Sequence, residues 1–550
     1  MLVTDLPFEI ISLIIGYLST KDRNQCSIVC QAWKLPSTEA LWKQLNIRSK
    51  KQIRGLSSIQ QSLPVQTLCL HPFLSINPQQ LFWIQNHFPK LRSVCISPEA
   101  LHPDCLDTTL VDWTLWRSLT KLELCTDNLR VPKETILYTL SALSSLTSLS
   151  WIQSTDGTSS PPFGWKDLEA LHTNLPRLVT LYLKARMDQL SAEQIQLISR
   201  SQSFSPARCL TCMTWEVNTL EPHWLIYWAY KYPNICSLQW LTIDHDTKFD
   251  SGTEIITLPE TLPSSFQKLG NLTLEGVFYT HRPQHALFLL LHRSNVHLKS
   301  IQCSIYINQR GSQKIPSILN DIMQSSSSLQ SLKLNIHGDV DDPNLLPSLF
   351  KTCPRLLVLS IRGMRMHLSL DRILDKCVSL ESLYINVSRL HVEVTAPAHS
   401  IQAIVLTAGF LNSSELTFLS KRCTELKTLG LVDLILRTDE ATSHGQALSL
   451  DLSSLHLRTL CVKRVMFYKS NVGTDRPKLQ RLALVLPQTS ILNNDERPQR
   501  IPHCERMFFT DNTFCETTLK TRIIKTCFLP KPIAGCVTAK VRYDRKDMDL

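Results

Sequence analysis

A six-residue pattern of apolar residues recurs along most of this chain and constrains its fold more than any other feature. The pattern is L-x-x-L-x-L, with other apolar residues allowed at each L, and its copies start 21 to 34 residues apart. With 43% apolar residues, chance alone fits the pattern at roughly 8% of starting points, so its surroundings must decide. The first positions are Val65, Leu91, Leu119, Leu146, Leu178, Leu210, Ile235, Leu269, Leu298, Leu329, Leu356, Leu380, Ile401, Leu426, Leu457 and Leu479.

The residues immediately before the pattern indicate that its copies are not chance matches. Helical runs end in Pro or Cys just ahead of several copies, as at Pro89, Pro176, Cys353, Cys377 and Cys423. Proline ends a helix, so each unit is predicted to contain one helix followed by one strand. Such a unit cannot bury its own apolar edge, and neighbours must stack into a solenoid with a parallel inner sheet and outer helices. An ordinary α/β domain with strands of this composition is the alternative.

The first 45 residues follow a helical rhythm instead. Pro7 suits a first helical turn, and Ser19 followed by Asp22 is typical of a helix start. Pro36 and Ser37 interrupt the chain before a third short helix. The apolar positions of the three predicted helices are Ile10, Ile14, Tyr17 and Leu18, then Cys26, Val29, Cys30 and Trp33, then Leu41, Trp42 and Leu45. These helices cannot bury all of that apolar surface among themselves, so the module is expected to dock onto something.

The strings Leu6-Pro7-x-Glu9-Ile10, Val29-Cys30-x-x-Trp33 and Leu41-Trp42 resemble the F-box in order and spacing. Arg23 stands where that family usually has leucine. The resemblance implies an adaptor-binding module that holds the Skp adaptor, and through it cullin, with Leu6, Pro7, Ile10, Val29 and Trp33 at the positions that face partner or core. A helical hairpin that merely caps the next domain is the alternative.

The helix, Cys, strand arrangement resembles the cysteine-containing leucine-rich repeats that commonly follow an F-box. The predicted fold class is therefore α/β: an N-terminal three-helix F-box followed by an irregular leucine-rich-repeat solenoid. We expect an F-box-like module at 1–50, a linker at 51–64, the solenoid at 65–486, and a C-terminal cap or tail at 487–550. Residues 154–164 and 438–446 are predicted to be loops.

The composition excludes several classes of protein. Only 15 residues are glycine, and no glycine-rich phosphate loop, G-x-S-x-G motif or H-E-x-x-H motif occurs in the sequence. The longest uncharged apolar stretches, 10–20 and 286–291, fall short of the roughly 20 residues that span a bilayer. Cys209-x-x-Cys212 has metal-ligand spacing but no second pair at a workable distance. We therefore expect no catalytic residue, no cofactor, no metal and no membrane span.

Charge and cysteine usage bear on compartment and partners. The net charge is +11, and the cluster of Arg48, Lys50, Lys51 and Arg54 has no interleaved aromatic residue, so a solvated face is expected rather than nucleic-acid binding. The 18 cysteines are scattered over apolar positions, as is typical of reduced thiols. Asp5 and Glu9 argue against a signal peptide. We expect a cytoplasmic or nuclear protein.

The resemblance implies a substrate-recognition subunit of a cullin-RING ubiquitin ligase, in which the repeats hold a target protein. The alternative is a leucine-rich-repeat scaffold or nucleic-acid-associated factor. Residues between the apolar positions of a strand face solvent, because side chains alternate with period two. From Leu329 onward these positions carry cations and hydrogen-bonding groups, which favours an acidic or phosphorylated target. The hypothesised target-binding residues are Lys333, Arg362, Tyr384, Asn386, Lys463 and Arg481.

Overall fold

The computed structural model describes most of the chain up to Thr438 and scattered segments beyond it. The described residues are 6–57, 63–126, 131–153, 161–200, 205–217, 223–242, 266–276, 282–306, 322, 328–340, 342–343, 346–347, 350, 353–392, 397–438, 448–451, 455, 457, 459–463, 466–469, 482–485, 507–508 and 536–539. They divide into two compact units, Met1–Leu269 (unit 1) and Gly270–Leu550 (unit 2). Among the described residues, no helix has both the length and the apolar character that crossing a membrane requires.

Unit 1 begins with three helices and continues as an alternation of strands and helices. Its helices are α1 (Phe8–Gly16), α2 (Thr20–Val29), α3 (Gln31–Trp42), α4 (Lys50–Ser57), α5 (Pro78–His87), α6 (Lys133–Ser141), α7 (Trp165–Asn174), α8 (Ala192–Arg200) and α9 (His223–Lys231). Its strands are β1 (Gln44–Ile47), β2 (Thr67–Leu70), β3 (Ser93–Ile96), β4 (Lys121–Cys125), β5 (Ser148–Ile152), β6 (Thr180–Ala185), β7 (Cys212–Val217) and β8 (Ser237–Thr242). Two 3₁₀ turns, Pro103–Leu106 and Trp113–Trp116, stand in the helix position between β3 and β4.

The eight strands of unit 1 form one parallel ladder in which each strand pairs with the next along the chain. The pairing keeps the apolar pattern in step, so that Leu68 lies opposite Val94 and Val94 opposite Leu122. Alternation of side chains then buries the apolar positions and turns the intervening ones to solvent. This is the inner sheet of the predicted solenoid.

One recurring turn joins helix to strand in both units. Its central residue has φ between −122 and −102° and ψ between 62 and 67° at Phe88, Leu175, Cys377 and Cys423. The N–H of this residue donates to the last turn of the helix, and its carbonyl accepts from the first apolar position of the next strand at 3.0–3.2 Å. The turn therefore explains why Cys and Pro precede the pattern. Its central residue is buried, which suits Cys, and the next position needs no N–H donor, which suits a proline such as Pro89.

The first three helices are present, but their limits differ from the predicted ones. Cys30 is extended, with φ −160° and ψ 166°, and it ends α2 before Trp33, which belongs to α3. Pro36 lies inside α3, where it is buried and removes one backbone hydrogen bond without ending the helix. Leu45 belongs to β1 instead of a helix. Helix α4 occupies much of the predicted linker at 51–64. The domain limits given by the sequence stay a prediction.

Unit 2 contains longer strands and fewer described helices. Its helices are α10 (Arg282–Arg293), α11 (Leu370–Lys376) and α12 (Ser413–Arg422). Its strands are β9 (Asn271–Gly276), β10 (Ser300–Tyr306), β11 (Ser331–Val340), β12 (Val358–Ser369), β13 (Ser382–His391), β14 (Ala403–Asn412), β15 (Thr428–Thr438), β16 (Leu448–Asp451), β17 (Thr459–Lys463), β18 (Met466–Lys469), β19 (Leu482–Val485), β20 (Met507–Phe508) and β21 (Cys536–Ala539).

Strands β9 to β15 form a parallel ladder in chain order, and β17 and β18 both pair with β15. Strands β16, β19 and β21 form a separate small sheet, in which β21 is antiparallel. Strand β20 pairs with β17. The described parts of 487–550 are thus two short strands.

Strands β11 to β15 are 10 to 12 residues long, about twice the length of the apolar pattern. They continue past the pattern through irregularities, with register shifts between Gly363 and His367 on β12 and between Ile336 and Asp339 on β11. Strands β13 and β14 lie close together here. A Cβ added at Gly409 on β14 would collide with the carbonyl oxygen of Val387 on β13. A bulged strand can bend and present a second run of side chains beyond the bulge.

The predicted fold class is confirmed by these elements. Every described first position of the apolar pattern is buried, from Val65 to Leu457, while Leu479 lies outside the described residues. Most of residues 154–164 and 438–446, which were predicted to be loops, also lie outside them. The chain is therefore an N-terminal helical module followed by a leucine-rich-repeat solenoid.

Candidate functional site

Helix α1 is apolar on two sides, and only one of them is covered. Ile11 and Ile15 are buried, facing the module's own core. Ile10 is 43% exposed, Leu13 60% and Tyr17 86%, and Ile14 stands with them on the other side of the helix. Positions 10, 13, 14 and 17 follow the i, i+3, i+4, i+7 spacing of one helical stripe. A stripe of this kind in water costs free energy unless a partner covers it.

The next two helices carry further exposed apolar side chains. Ile28 and Val29 are the last two residues of α2, and Val29 is 71% exposed; Leu35 is exposed on α3. Together with the α1 stripe they are called the apolar face below. Its members are Phe8, Ile10, Leu13, Ile14, Tyr17, Ile28, Val29 and Leu35.

Arg23, the departure from the F-box pattern, has a structural role in this module. Its guanidinium donates from Nε to the carbonyl of Ile15 at 3.0 Å and from Nη2 to the carbonyl of Gly16 at 2.9 Å. A cation at the C-terminal end of a helix also meets the negative end of the helix dipole. The side chain thus ties α2 to the end of α1, so the polar residue replaces an apolar contact with two hydrogen bonds.

The five predicted adaptor-binding residues differ in how far they are exposed to solvent. Pro7 caps α1, and its carbonyl accepts from the N–H groups of Ile10 and Ile11 at 3.0 and 3.1 Å. Pro7, Ile10 and Val29 are exposed, whereas Leu6 and Trp33 are half-buried. Sequence reasoning missed Leu13, Tyr17, Ile28 and Leu35 as members of the face, although the stripe spacing on α1 was a signal for the first two.

A second candidate site lies on the solvent-facing side of the unit 2 sheet. The register aligns two rows of the hypothesised target-binding residues. Lys333 and Tyr384 flank Ser360 in one row, and Asn335, Arg362 and Asn386 lie side by side in the next. Lys333, Arg362 and Tyr384 are exposed and Asn386 is half-buried, as the alternation predicts.

Lys463 and Arg481 are the remaining two hypothesised residues. Lys463 ends β17 opposite Val432, which continues the row of Arg362 and Asn386 through Thr407. The backbone at Lys463 therefore belongs to that row. Arg481 lies outside the described residues.

The ends of β12 and β13, at and beyond the irregularity of β12, carry further exposed cations. Arg365 and Arg389 are exposed, and His367 lies opposite Arg389 in the register. The rings of His367 and His391 are 6.1 Å apart at their centroids. No Asp or Glu occurs in β12, β13 or β14. Sequence reasoning missed these cations because the bulge breaks the period-two alternation on which it relied.

Burial first, and then nearby cations, lower the pKa of two histidines here. Burial, the Arg389 guanidinium and His367 together hold the pKa of His391 below its ordinary value. Burial and the Arg362 guanidinium do the same to the pKa of His337 on β11. Both shifts disfavour a further cation, which is the direction expected of a site whose field is already positive.

The corresponding side of the unit 1 sheet is mixed in charge. Lys184 Nζ lies 2.8 Å from Glu216 Oε1, and the Tyr182 hydroxyl donates to Glu216 Oε2. Cys69 lies beside Cys95 and Cys95 beside Glu123 in one row of the register. Burial first, and then the Glu123 carboxylate, raise the pKa of Cys95 to about 12, so this thiol stays protonated and is a poor nucleophile and metal ligand.

Cys209 and Cys212 do not share an environment suited to a metal. Cys209 is exposed in the turn before β7, and Cys212 is the half-buried first residue of that strand. Within the described part of the chain, no three His, Cys, Asp or Glu side chains come together as a metal site would require.

The helical module thus carries an exposed apolar face, and the leucine-rich-repeat sheet of unit 2 carries exposed cations. Residues 3–48 match the family model described as F-box-like. The chain therefore has an N-terminal F-box-like domain followed by leucine-rich repeats. No curated protein matches the sequence.

Several solved structures resemble the chain. A chain of the Toll–Spatzle complex from Drosophila matches at 13% identity with a TM-score of 0.44, covering 81% of this chain and 55% of that one. The leucine-rich-repeat protein LegL7 from Legionella pneumophila matches at 14% identity and TM-score 0.31, covering 53% and 91%. The complex of Rad7 and Elc1 in yeast matches at 13% identity and TM-score 0.31, covering 82% and 92%. These likenesses carry no argument about function.

Proposed function

We propose that this chain is the substrate-recognition subunit of a cullin-RING ubiquitin ligase. Its F-box-like domain binds a Skp-type adaptor, and through it cullin, while its repeats hold a target protein. The carrying observation is the stripe of Ile10, Leu13, Ile14 and Tyr17, which α1 exposes although its opposite side already supplies the module's core. A surface of this kind fits an apolar protein partner.

The proposed mechanism is proximity, and the chain itself is not catalytic. Holding a target lysine close to a ubiquitin thioester raises its effective concentration without any new chemical group on this chain. F-box-like and leucine-rich-repeat folds are typically binding modules, in line with this division of labour. The proposal includes a location in the cytoplasm or the nucleus, in line with the scattered cysteines of the sequence.

Co-expression with a Skp-type adaptor tests the proposal. The full chain is expected to co-purify with the adaptor at equal stoichiometry. Ile10→Glu combined with Val29→Glu puts two charges on the apolar face, so the affinity should fall more than about tenfold. Leu197→Glu is the matched control, because Leu197 is also an exposed apolar residue, 62% exposed, but lies on α8.

A second variant addresses the residues that the F-box resemblance singles out. Leu6→Ala with Pro7→Ala should abolish adaptor capture in a chain that keeps its circular dichroism spectrum. Retention of the adaptor at wild-type affinity by both double variants would refute the proposal. The chain would then be a leucine-rich-repeat scaffold or a nucleic-acid-associated factor whose helices only cap the solenoid.

A further inference from the structure

The helix-to-strand turns of unit 1 form an edge of its sheet that carries positive charge only. The turns before β3 to β8 occupy residues 88–93, 116–121, 143–148, 175–180, 207–212 and 232–237, and none of these residues is Asp or Glu. Six exposed cations stand on them. They are called the basic rim below: Lys90, Arg92, Arg117, Lys121, Arg177 and Arg208.

Main-chain hydrogen bonds hold the turns of the basic rim side by side. The carbonyl of Arg92 accepts from the N–H of Lys121 at 2.9 Å, so two of the cations are direct neighbours. Equivalent bonds join each of the following turns to the next one. The rim therefore runs without a break from β3 to β7, over four strand spacings of about 4.8 Å, or about 19 Å in all.

The cations of the basic rim have no acidic partner among the described residues. No ion pair in the described part of the chain includes any of them. The first carboxylate further along these strands is Glu123, which is half-buried two residues after Lys121. The rim thus presents its charge to solvent.

The turn itself does not require a cation at these positions. In unit 2, Glu425 occupies the place that Lys90 and Arg177 have in unit 1. Glu381 likewise occupies the place of Arg92. The turns of both units share the same backbone angles, and a preference of cations for helix ends would act equally in both. The uniform charge is therefore a property of unit 1 and not of the turn.

The basic rim offers little apolar surface. The aromatic residues of its turns are fully buried, namely Phe88, Trp116 and Tyr232. Val179, at 38%, is the only large apolar side chain that the six turns expose. Protein partners are bound through an apolar and aromatic centre, and single-stranded nucleic acid through stacking on exposed rings. The rim therefore suits neither of these ligands.

Hydroxyl groups occupy much of the rest of the rim. Ser118, Thr120, Ser144 and Thr180 are exposed between the cations. Lys, Arg, Ser and Thr are side chains that contact the phosphate oxygens of a duplex. Phosphates along one strand of a duplex are about 3.4 Å apart, and six cations over about 19 Å have a similar average spacing.

We propose that the basic rim binds the phosphate backbone of double-stranded nucleic acid, without preference for its sequence. Contacts to phosphates carry no sequence information, because the bases are read in the grooves. This activity goes beyond the proposed function and does not depend on it, since the rim and the apolar face share no residue.

A fluorescein-labelled DNA duplex of about 20 base pairs and random sequence is the probe. Fluorescence anisotropy with the intact chain is expected to show binding that weakens steeply with salt, with a slope of log K on log salt of about −0.9 for each phosphate contact. Arg92→Gln with Lys121→Gln removes two neighbouring cations. The slope should become shallower by about 2, and the affinity at about 0.1 M salt should fall at least tenfold.

Arg355→Gln with Lys427→Gln is the matched control. These two residues occupy the places of Lys90 and Arg92 in turns of unit 2, where Glu381 and Glu425 also stand. The control pair removes the same number of charges from the same kind of turn. It should change the affinity less than twofold and leave the salt slope as it is.

Each other result overturns the proposal. No binding of the duplex, or equal losses in the two glutamine pairs, would remove the assignment. Equally tight binding of a poly-glutamate chain of the same charge would make the rim a site for acidic proteins. Tighter binding of an oligothymidylate of the same length would make it a single-strand site, and binding of phosphatidylserine vesicles in place of the duplex would make it a membrane surface. Lys90→Gln with Arg177→Gln serves if the first pair does not fold.

Adaptor capture by the same proteins separates this inference from the proposed function. The variant at Arg92 and Lys121 should retain the adaptor at wild-type affinity. Duplex binding by a wild-type chain that captures no adaptor would refute the ligase proposal and leave the inference standing. Adaptor capture without duplex binding would overturn the inference alone.

Discussion

The guanidinium of Arg23 donates two hydrogen bonds to the end of α1, one of them to the main-chain carbonyl of Ile15 at 3.0 Å. The second goes to the carbonyl of Gly16 at 2.9 Å. The Ile15 carbonyl also accepts from the Leu18 N–H at 3.1 Å, so the Nε bond of Arg23 is a second one to that oxygen. Carbonyls in the last turn of a helix run out of intrahelical donors, and at Gly16 the side chain supplies one. The C-terminal end of α1 is thus tied to α2 by a polar contact.

Replacement of Arg23 by alanine should loosen this module. We expect a loss of about 1–2 kcal/mol of stability in the N-terminal helices, from two hydrogen bonds and a favourable dipole contact. Hydrogen exchange at the amides of α1 measures it. Lys21→Ala, at an exposed position of the same helix, should leave these rates unchanged, and equal protection in both proteins would show that Arg23 is not a tether.

Leu359→Ala should be among the costly substitutions in unit 2. Leu359 is fully buried between Leu332 and Leu383 in the register, as its place in the pattern predicts. Truncation leaves a cavity, so the expected loss is about 2–5 kcal/mol by chemical denaturation. Ser360→Ala, on the solvent side of the same strand, should cost under about 0.5 kcal/mol. Comparable losses from the two variants would contradict the assigned register.

Stability should fall in mild acid because of His172. Burial, and then the neighbouring Lys231, lower the pKa of His172 to about 3, while its Nε2 hydrogen-bonds the Tyr232 hydroxyl at 3.0 Å. Below about pH 6.5 the unfolded chain takes up a proton that the folded chain refuses. The folded state therefore loses up to about 1.4 kcal/mol per pH unit between pH 6.5 and 3 from this residue.

Substitution of His172 by glutamine checks the source of that slope. The amide keeps a hydrogen-bonding group near Tyr232 but does not titrate, so the stability of the variant should depend less steeply on pH between 6.5 and 4. Urea unfolding at a series of pH values gives the comparison. Identical slopes in both proteins would assign the acid sensitivity to other groups.

Substitution of Arg422 alone should destabilise the protein more than substitution of Arg422 together with Asp371. Its guanidinium contacts the buried Asp371 carboxylate, and its Nη2 lies 2.6 Å from Asp375 Oδ1. Removing the cation beside a buried carboxylate costs about 3–5 kcal/mol, so Arg422→Ala should strongly destabilise unit 2. Arg422→Met combined with Asp371→Leu removes both charges and should cost less than Arg422→Ala alone. A larger loss in the double variant, by thermal unfolding, would show that the ion pair itself is strongly favourable.

The sequence predicted the strands well because a strand that is buried on one face has apolar residues at alternate positions. Leu332, Leu359 and Leu383 occupy the same position of the pattern and meet in the register. The adaptor-binding residues came from a resemblance, and three of the five lie exposed on the module. The structure then added Tyr17, which is exposed and continues the stripe of Ile10 and Leu13, whereas Ile15 on the other side of the helix is buried.

What could not be predicted lies where local rules compete. The end of α2 depends on one extended residue, Cys30, and its neighbours have ordinary helical composition. Pro36 suggested a helix break, but a packed helix tolerates the loss of one hydrogen bond. Arg365 lies within the irregular stretch of β12, and Arg389 pairs with His367 just after that stretch, so a period-two count past the sixth residue assigns them no face.

The chain-order pairing of β1 to β8 has a mechanical consequence. Each interior strand of unit 1 is bonded to its predecessor and its successor, and no described pairing in that ladder skips a strand. Tension applied along the ladder therefore meets its neighbour interfaces in series, and an end strand can peel away while the interior keeps both of its partners. Such a ladder yields in steps of one repeat, each releasing a length of chain set by the distance between successive patterns.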